Sequence, residues 1–174
     1  MRKLACGGIL LPALWNLMIT DNGNDFSSQL PVRGRLLGLD LGTKTIGLAL
    51  SDSSRQIATP MQTVKRISFL KDVNKLEDIQ SEHSIVGFVL GLPINMNGTE
   101  GPRCQATRDF ARNLIIHLSV PILLWDERLS TSAAEQALLA ADMSRQKRAA
   151  VVDKIAAALI LQAALDALKN LNLP

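Results

Sequence analysis

At 174 residues and 47% hydrophobic, the chain is long enough to bury one sizeable core, and with aromatics at 3% and no tyrosine that core must be aliphatic. The same scarcity argues against a base-stacking platform of the kind single-strand binders use, while a formal net charge of +3 is compatible with a nucleic-acid partner without demanding one. The two cysteines, Cys6 and Cys104, show neither CxxC spacing nor a nearby histidine, which argues against zinc and fits a reduced, cytosolic protein.

The first 34 residues differ from the rest. Arg2 and Lys3 precede an apolar stretch, residues 7–19, that is broken by Pro12 and Asn16. It is too short and too interrupted for a membrane span, and no small-residue cleavage site follows it, which argues against a secretory signal. It reads as a packed extension, an interface helix, or residues upstream of a natural start at Met18. Residues 21–33 are polar and turn-rich and are expected to form a linker. The expected organisation is an N-terminal extension over residues 1–34 and one α/β domain over residues 35–174.

Residues 35–52, RLLGLDLGTKTIGLALSD, hold two apolar runs around a polar turn, which predicts a β-hairpin with Gly42 in the turn. Asp40 is the odd residue. A carboxylate at the end of a buried strand must be paired, hydrogen-bonded or on a metal, or else cap the hairpin turn. Residues 57–64 form a third strand, placed at an edge by Pro60.

Residues 68–83 predict an amphipathic helix, with Leu70, Val73, Leu76 and Ile79 inward and Lys71, Asp72, Lys75, Glu77 and Asp78 outward. The apolar run 85–90 reads as a buried, parallel strand, followed by a loop rich in Asn and Gly over residues 94–101. A helix follows over residues 104–118, with Arg103, Arg108 and Arg112 at its start and along it. Each of these arginines could be an ordinary solvated charge; as a group beside the loop they could hold phosphates. Residues 121–125 form the next strand, ending in Asp126-Glu127-Arg128. Alternating strands and helices imply a mixed α/β sheet covered by helices.

Ser132-Ala133-Ala134-Glu135 matches a capping box, which predicts a helix to about residue 141. The polar, basic stretch 142–148 holds Arg145, Lys147 and Arg148, and a long apolar helix runs over residues 149–168. One acid, Asp153, interrupts that helix near its start, either as a first-turn acid favoured by the helix dipole or as a group carried towards the strand ends. Ala149, Ala156, Ala157 and Ala164 would let the helix approach a sheet closely.

Asp40, Glu127 and Asp153 sit on three elements, each beside an apolar run. Acids at the ends of two buried strands would meet if those strands lay side by side. Three carboxylates in one place repel and are stable mainly around a hard cation such as Mg²⁺ or Mn²⁺. Asp126 could replace Glu127, since strand ends shift by a residue or two in such readings. Lys44, Arg103, Arg128, Arg145, Lys147 and Arg148 are candidates to hold a phosphate backbone. His83 and His117 fall near helix ends and read as structural or exposed.

The stretches GLDLGTKTIGLALSD, GLPINMNG, DERLST and VDKIAAALILQ, in this order, resemble the YqgF family, described both as Holliday junction resolvases and as pre-16S rRNA nucleases. The resemblance implies an RNase H-like fold: a five-stranded mixed sheet ordered 3-2-1-4-5, strand 2 antiparallel, with helices on both faces. It also implies Mg²⁺- or Mn²⁺-dependent phosphodiester hydrolysis with Asp40, Glu127 and Asp153 as the catalytic, metal-binding acids. The chain departs from the family at Thr45, where many relatives carry Arg, and at Asn97, where many carry Asp. The first departure removes a phosphate contact and the second a loop acid.

The function the resemblance implies is processing of the 5′ end of precursor 16S rRNA in the cytoplasm, with no membrane association. The alternatives are a branched-DNA resolvase and a non-catalytic nucleic-acid-binding factor. The partner is structured RNA or branched DNA, and the chain acts as a monomer or homodimer. The first motif also looks like the phosphate loop of actin-like ATPases, but those bind ATP between two such domains and this chain has room for one.

Overall fold

The computed structural model describes residues 18–129 and 145–171, with side chains of the last helix described from residue 152 onward. In chain order the elements are β1 (Ile19–Thr20), α1 (Gly23–Gln29), β2 (Arg35–Leu41), β3 (Thr45–Ser51), β4 (Ala58–Lys65), α2 (Phe69–His83), β5 (Ile85–Leu92), α3 (Pro102–Leu118), β6 (Ile122–Asp126), a 3₁₀ turn (Glu127–Leu129) and α4 (Arg145–Leu171). The helix expected over residues 132–141 lies outside the described residues.

The sheet runs β1-β6-β5-β2-β3-β4. β3 is antiparallel to β2 and β4 to β3, while β5 and β6 run parallel to β2. The five strands from β2 onward therefore take the expected 3-2-1-4-5 order. β4 is the edge strand, which accommodates Pro60.

A sixth strand is added to the expected five, and a helix corrects the expectation of a linker over residues 21–33. β1 pairs parallel with β6, Ile19 opposite Ile122, and α1 follows where only turns were expected. Asn22 caps α1, its Oδ1 accepting the N–H groups of Asn24 at 2.8 Å and Asp25 at 3.4 Å. Phe26 is fully buried against the sheet, over Gly87. One aromatic ring anchors a segment whose composition is otherwise that of a loop.

Strand alternation sorts the core into two layers. Leu37, Leu39 and Leu41 of β2 face α2 and α3 with Ile46, Leu48, Phe88 and Leu90. Leu36 faces the other way with Ala49, Val89 and Leu123, under Ala157, Leu161 and Ala164 of α4. Both faces being covered, β2 and β5 read as continuous apolar runs. α4 lies close because the sheet offers it glycine: a Cβ on Gly38 would stand 2.7 Å from the Cβ of Leu161 and 2.9 Å from the carbonyl oxygen of Ala157.

α2 buries Val73, Leu76 and Ile79 as expected and departs from its expected face in the first turn. Leu70 is exposed and Phe69 packs instead, edge-on to Phe110 with centroids 5.8 Å apart. Asp72, expected outside, is buried: its Oδ1 accepts the Ile67 N–H at 3.1 Å and its Oδ2 lies 3.7 Å from Arg66 Nε. A first-turn acid so bonded holds the helix start against the chain that leads into it. Among the described residues no helix is long and apolar enough to cross a membrane.

Candidate active site

Asp40 stands near the end of β2 on the α4 face, two residues after Gly38. Across the hairpin it pairs with Gly47. On its other side β2 and β5 pair Leu39 with Leu90, so Gly91 follows alongside Asp40. The central acid thus has a glycine beside it on each neighbouring strand, and each glycine clears space for one more acid.

Gly47 admits helix backbone. A Cβ there would run into the carbonyl of Asp153 and stand 3.0 Å from the Lys154 nitrogen. That approach sets Asp153, at the part of α4 crossing β3, beside Asp40. Gly91 admits a side chain: a Cβ there would lie 2.6 Å from Glu127 Oε1 and 2.7 Å from Ile160 Cδ1. The strands that carry Asp40 and Asp126 do not lie side by side, because β5 separates them, in keeping with the expected strand order. Glu127 bridges the gap by reaching over the bare backbone of Gly91.

Strand parity separates Glu127 from Asp126. Trp125 pairs with Gly91 and packs with the α4 layer, so Asp126 points away from it. Asp126 is held by Arg128, whose Nε donates to both carboxylate oxygens at 3.0 Å and whose Nη2 donates to Oδ2 at 2.6 Å. The guanidinium keeps the Asp126 carboxyl below the usual carboxylate range. Asp126 is therefore spent on Arg128, and Glu127 is the acid that joins Asp40.

Burial, then the negative charge of Asp153, pushes Asp40 up to about 6, with Arg103 pulling the other way. Burial, then Asp40, pushes Glu127 up to about 7, again against Arg103. Asp153 is bonded to a residue that sequence reasoning treated only as a lost phosphate contact: Thr45 Oγ1 donates to Asp153 Oδ2 at 2.6 Å. Among the described residues no three carboxylates converge on one point closely enough to hold a single ion as they stand. Asp40 is the acid common to both repulsions, so it is the residue that an ion next to either neighbour would share.

The expected basic residues divide. Arg103, exposed in the first turn of α3 just after Pro102, is among the described residues the arginine whose charge reaches both Asp40 and Glu127. Lys44 is exposed at the tip of the hairpin turn. Arg128 is committed to Asp126, Arg108 to Glu100 at 2.5 and 2.9 Å, and Arg112 to Asp109 at 2.6 Å. Arg145, Lys147 and Arg148 fall in the first turns of α4, with side chains outside the described residues. His83 ends α2 and His117 leans on Phe69, so neither joins the acids. Asn97 accepts the N–H of Thr99 at 3.1 Å and its hydroxyl at 2.7 Å, which gives the side chain a part in shaping the loop after β5. Gly47 and Gly91 were missed as site residues, although a lone glycine inside a strand run signals close backbone approach.

A relative from Cereibacter sphaeroides named "Putative pre-16S rRNA nuclease" is 58% identical over 151 residues, 87% of this chain and 94% of that protein. One from Rhodobacter capsulatus with the same name is 56% identical over 155 residues, 89% of this chain and 98% of that protein. Among solved structures, Thermus thermophilus RuvC in complex with a Holliday junction substrate is similar at a TM-score of 0.53, covering 79% of this chain and 96% of that one. At 12% identity it shows the RNase H-like fold alone. The model of the RuvX family, described as Holliday junction resolvase, matches residues 34–167. Since that match runs from the start of β2 into the helix that carries Asp153, the chain belongs to the RuvX family, the one its motifs resemble under the name YqgF.

Proposed function

We propose that the chain is a cytosolic, metal-dependent nuclease that hydrolyses phosphodiester bonds in processing the 5′ end of precursor 16S rRNA, with Asp40, Glu127 and Asp153 as its metal ligands. The observation that carries this reading is Asp40 set between Asp153 and Glu127, with burial and mutual repulsion holding Asp40 and Glu127 towards their protonated forms. Half-buried carboxylates in that state are poor structural elements and good ligands for a hard divalent cation. The donor set is all oxygen and fits Mg²⁺ or Mn²⁺. Bound there, such ions supply an activated water and stabilise the leaving oxygen.

The chain's own residues do the rest. Arg103 and Lys44 hold the phosphate backbone beside the acids, and the first turns of α4 add Arg145, Lys147 and Arg148. Arg128 is partly withdrawn from that task by Asp126. The names carried by relatives that cover nearly their full length on this chain favour the RNA substrate. The family description favours a second reading, resolution of branched DNA, which requires a dimer because two strands are cut symmetrically.

The test is cleavage of two labelled substrates, a ribosomal RNA precursor fragment and a four-way DNA junction, with Mn²⁺ or Mg²⁺ and with chelator. Wild type runs beside Asp40→Asn. Metal-dependent cutting of the RNA alone, lost in the variant, is the expected result. Cutting of the junction alone moves the assignment to the resolvase, and binding without cutting moves it to a non-catalytic factor.

A further inference from the structure

We propose that Thr45 is a positioning residue for Asp153: its hydroxyl fixes one carboxylate oxygen so that the other is presented to a divalent cation shared with Asp40. The inference rests on the reading of Asp40, Glu127 and Asp153 as metal ligands.

Both ends of the bond are fixed by backbone. Thr45 opens β3, and the turn before it is tied: the Gly42 N–H donates to the Thr45 carbonyl at 2.9 Å and the Arg66 N–H to the Lys44 carbonyl at 2.9 Å. Arg66 Nη1 also donates to the Gly42 carbonyl at 2.7 Å. Asp153 is fixed by its helix, whose backbone lies directly on Gly47. Between two fixed backbones, the bond of 2.6 Å from Thr45 Oγ1 to Asp153 Oδ2 selects the carboxylate's rotamer. A β-branched side chain is stiff at χ1, so Thr45 offers its hydroxyl in one direction at little entropic cost.

The direction matters because Asp153 faces a like charge. Asp40 repels it, and a free carboxylate would relax by swinging towards solvent. A hydrogen bond from a neutral hydroxyl to a carboxylate is strong enough to oppose that. The hydroxyl brings no positive charge, so it orients the ligand without competing with the cation for the site. An arginine at this position would hold Asp153 as an ion pair instead.

Outer-shell partners of this kind typically carry about 10–100-fold in metal affinity. The experiment is Mn²⁺ binding by calorimetry to wild type, Thr45→Val, Thr45→Ser and Asp153→Asn, with melting curves to check folding. Thr45→Val keeps the shape and loses the donor; Thr45→Ser keeps the donor and loses the methyl. The expected result is Mn²⁺ binding weakened about tenfold in Thr45→Val and restored in Thr45→Ser. The Mn²⁺ concentration for half-maximal cleavage then rises by the same factor in Thr45→Val, and excess Mn²⁺ rescues it, whereas Asp153→Asn is not rescued.

Thr45→Val binding Mn²⁺ as wild type does would overturn the inference while leaving the metal-ligand reading standing. Thr45→Ser as weak as Thr45→Val would also overturn it, by assigning the effect to the methyl group. If Thr45→Val melts below the assay temperature, Thr45→Ala replaces it with the same expectations. Absence of Mn²⁺ binding in wild type would overturn the ligand reading and this inference together.

Discussion

Gly47 lies directly beneath the backbone carbonyl of Asp153, at the point where any other residue would place its Cβ. Gly91, on the opposite side of Asp40, lies in the same way beneath the carboxylate of Glu127. The two glycines do the same geometric job against different neighbours, and the difference decides what an alanine would do at each. At Gly47 the obstruction is helix backbone, which cannot yield without moving α4 off the sheet. Gly47→Ala is expected to cost about 3 kcal/mol or more of stability. At Gly91 the nearest atoms are the ends of flexible side chains, Glu127 Oε1 and Ile160 Cδ1. Gly91→Ala is expected to fold with a loss of about 1 kcal/mol. Its cost falls on chemistry instead, because displacing a reacting group by about 1 Å can lose about 100-fold in rate. Urea unfolding and metal-dependent cleavage, measured on both variants, separate the two effects. A folded, active Gly47→Ala protein would contradict the helix contact.

The adjacent acids of the Asp126-Glu127-Arg128 turn give a second contrast. Glu127 reaches over Gly91 towards Asp40, whereas Asp126 is bonded to Arg128 through both carboxylate oxygens. On the proposed ligand role, Glu127→Gln is expected to lose metal-dependent cleavage by at least the roughly 10–100-fold that losing an outer-shell partner costs. Asp126→Asn is expected to keep most of it. Freeing Arg128 from its partner should instead add about one phosphate contact, steepening the salt dependence of nucleic-acid binding accordingly. The reverse pattern, with Asp126→Asn inactive and Glu127→Gln active, would exchange the two roles.

The N-terminal segment offers a test confined to stability. Phe26 is fully buried between α1 and the sheet, in the apolar layer that packs with α4, and belongs to none of the elements that carry the three acids. Phe26→Ala removes the one large side chain that anchors α1, with an expected cost of about 3–4 kcal/mol. Cleavage per folded molecule should be unchanged. A cost under about 1 kcal/mol would mean that α1 adds little to the core.

That helix also shows why part of the fold was not legible. The core strands announce themselves because both sheet faces are covered, so β2, β5 and β6 had to be apolar throughout, and a lone Asp40 stood out against them. α1 leaves no such trace: in a segment otherwise polar, Phe26 and Leu30 are too few to set a period. The first-turn member of α2's inward face was not legible because Leu70 and Phe69 are adjacent apolar residues and only packing on Phe110 chooses between them. Asp72 looked like any surface acid, since nothing in the chain shows that the Ile67 N–H will need an acceptor. Charge pairing is similarly hidden. Arg108 finds Glu100 only once the loop after β5 folds back to start α3, and Arg128 turns on its own neighbour Asp126 rather than towards a substrate. The two glycines that bring the acids together were visible as breaks in apolar runs, but their purpose depends on what crosses above them.

The raised acids make a prediction about pH whose sign follows from proton linkage. Asp40 goes from its ordinary 3.8 to about 6 in the folded protein, and Glu127 from 4.5 to about 7, each mainly through burial and then through a neighbouring carboxylate. A folded state with raised acids binds more protons than the unfolded chain, so stability falls as pH rises through this window. Without divalent metal the protein should therefore melt progressively lower from the ordinary carboxylate range up to about pH 7, and level off above it. Asp52 and Asp126, whose carboxyls are held below the usual range, act in the opposite sense and only at lower pH. A bound divalent cation favours the ionised acids and reverses the slope: Mn²⁺ should bind more tightly as pH rises and should displace protons as it does so. Melting curves across this range, with chelator and with Mn²⁺, check both halves. In Asp40→Asn the chelator curve should be flatter and the Mn²⁺ shift should be lost. A wild-type protein whose melting temperature rises with pH in chelator would show that these acids are not held protonated, and would remove the electrostatic argument for a cation at Asp40.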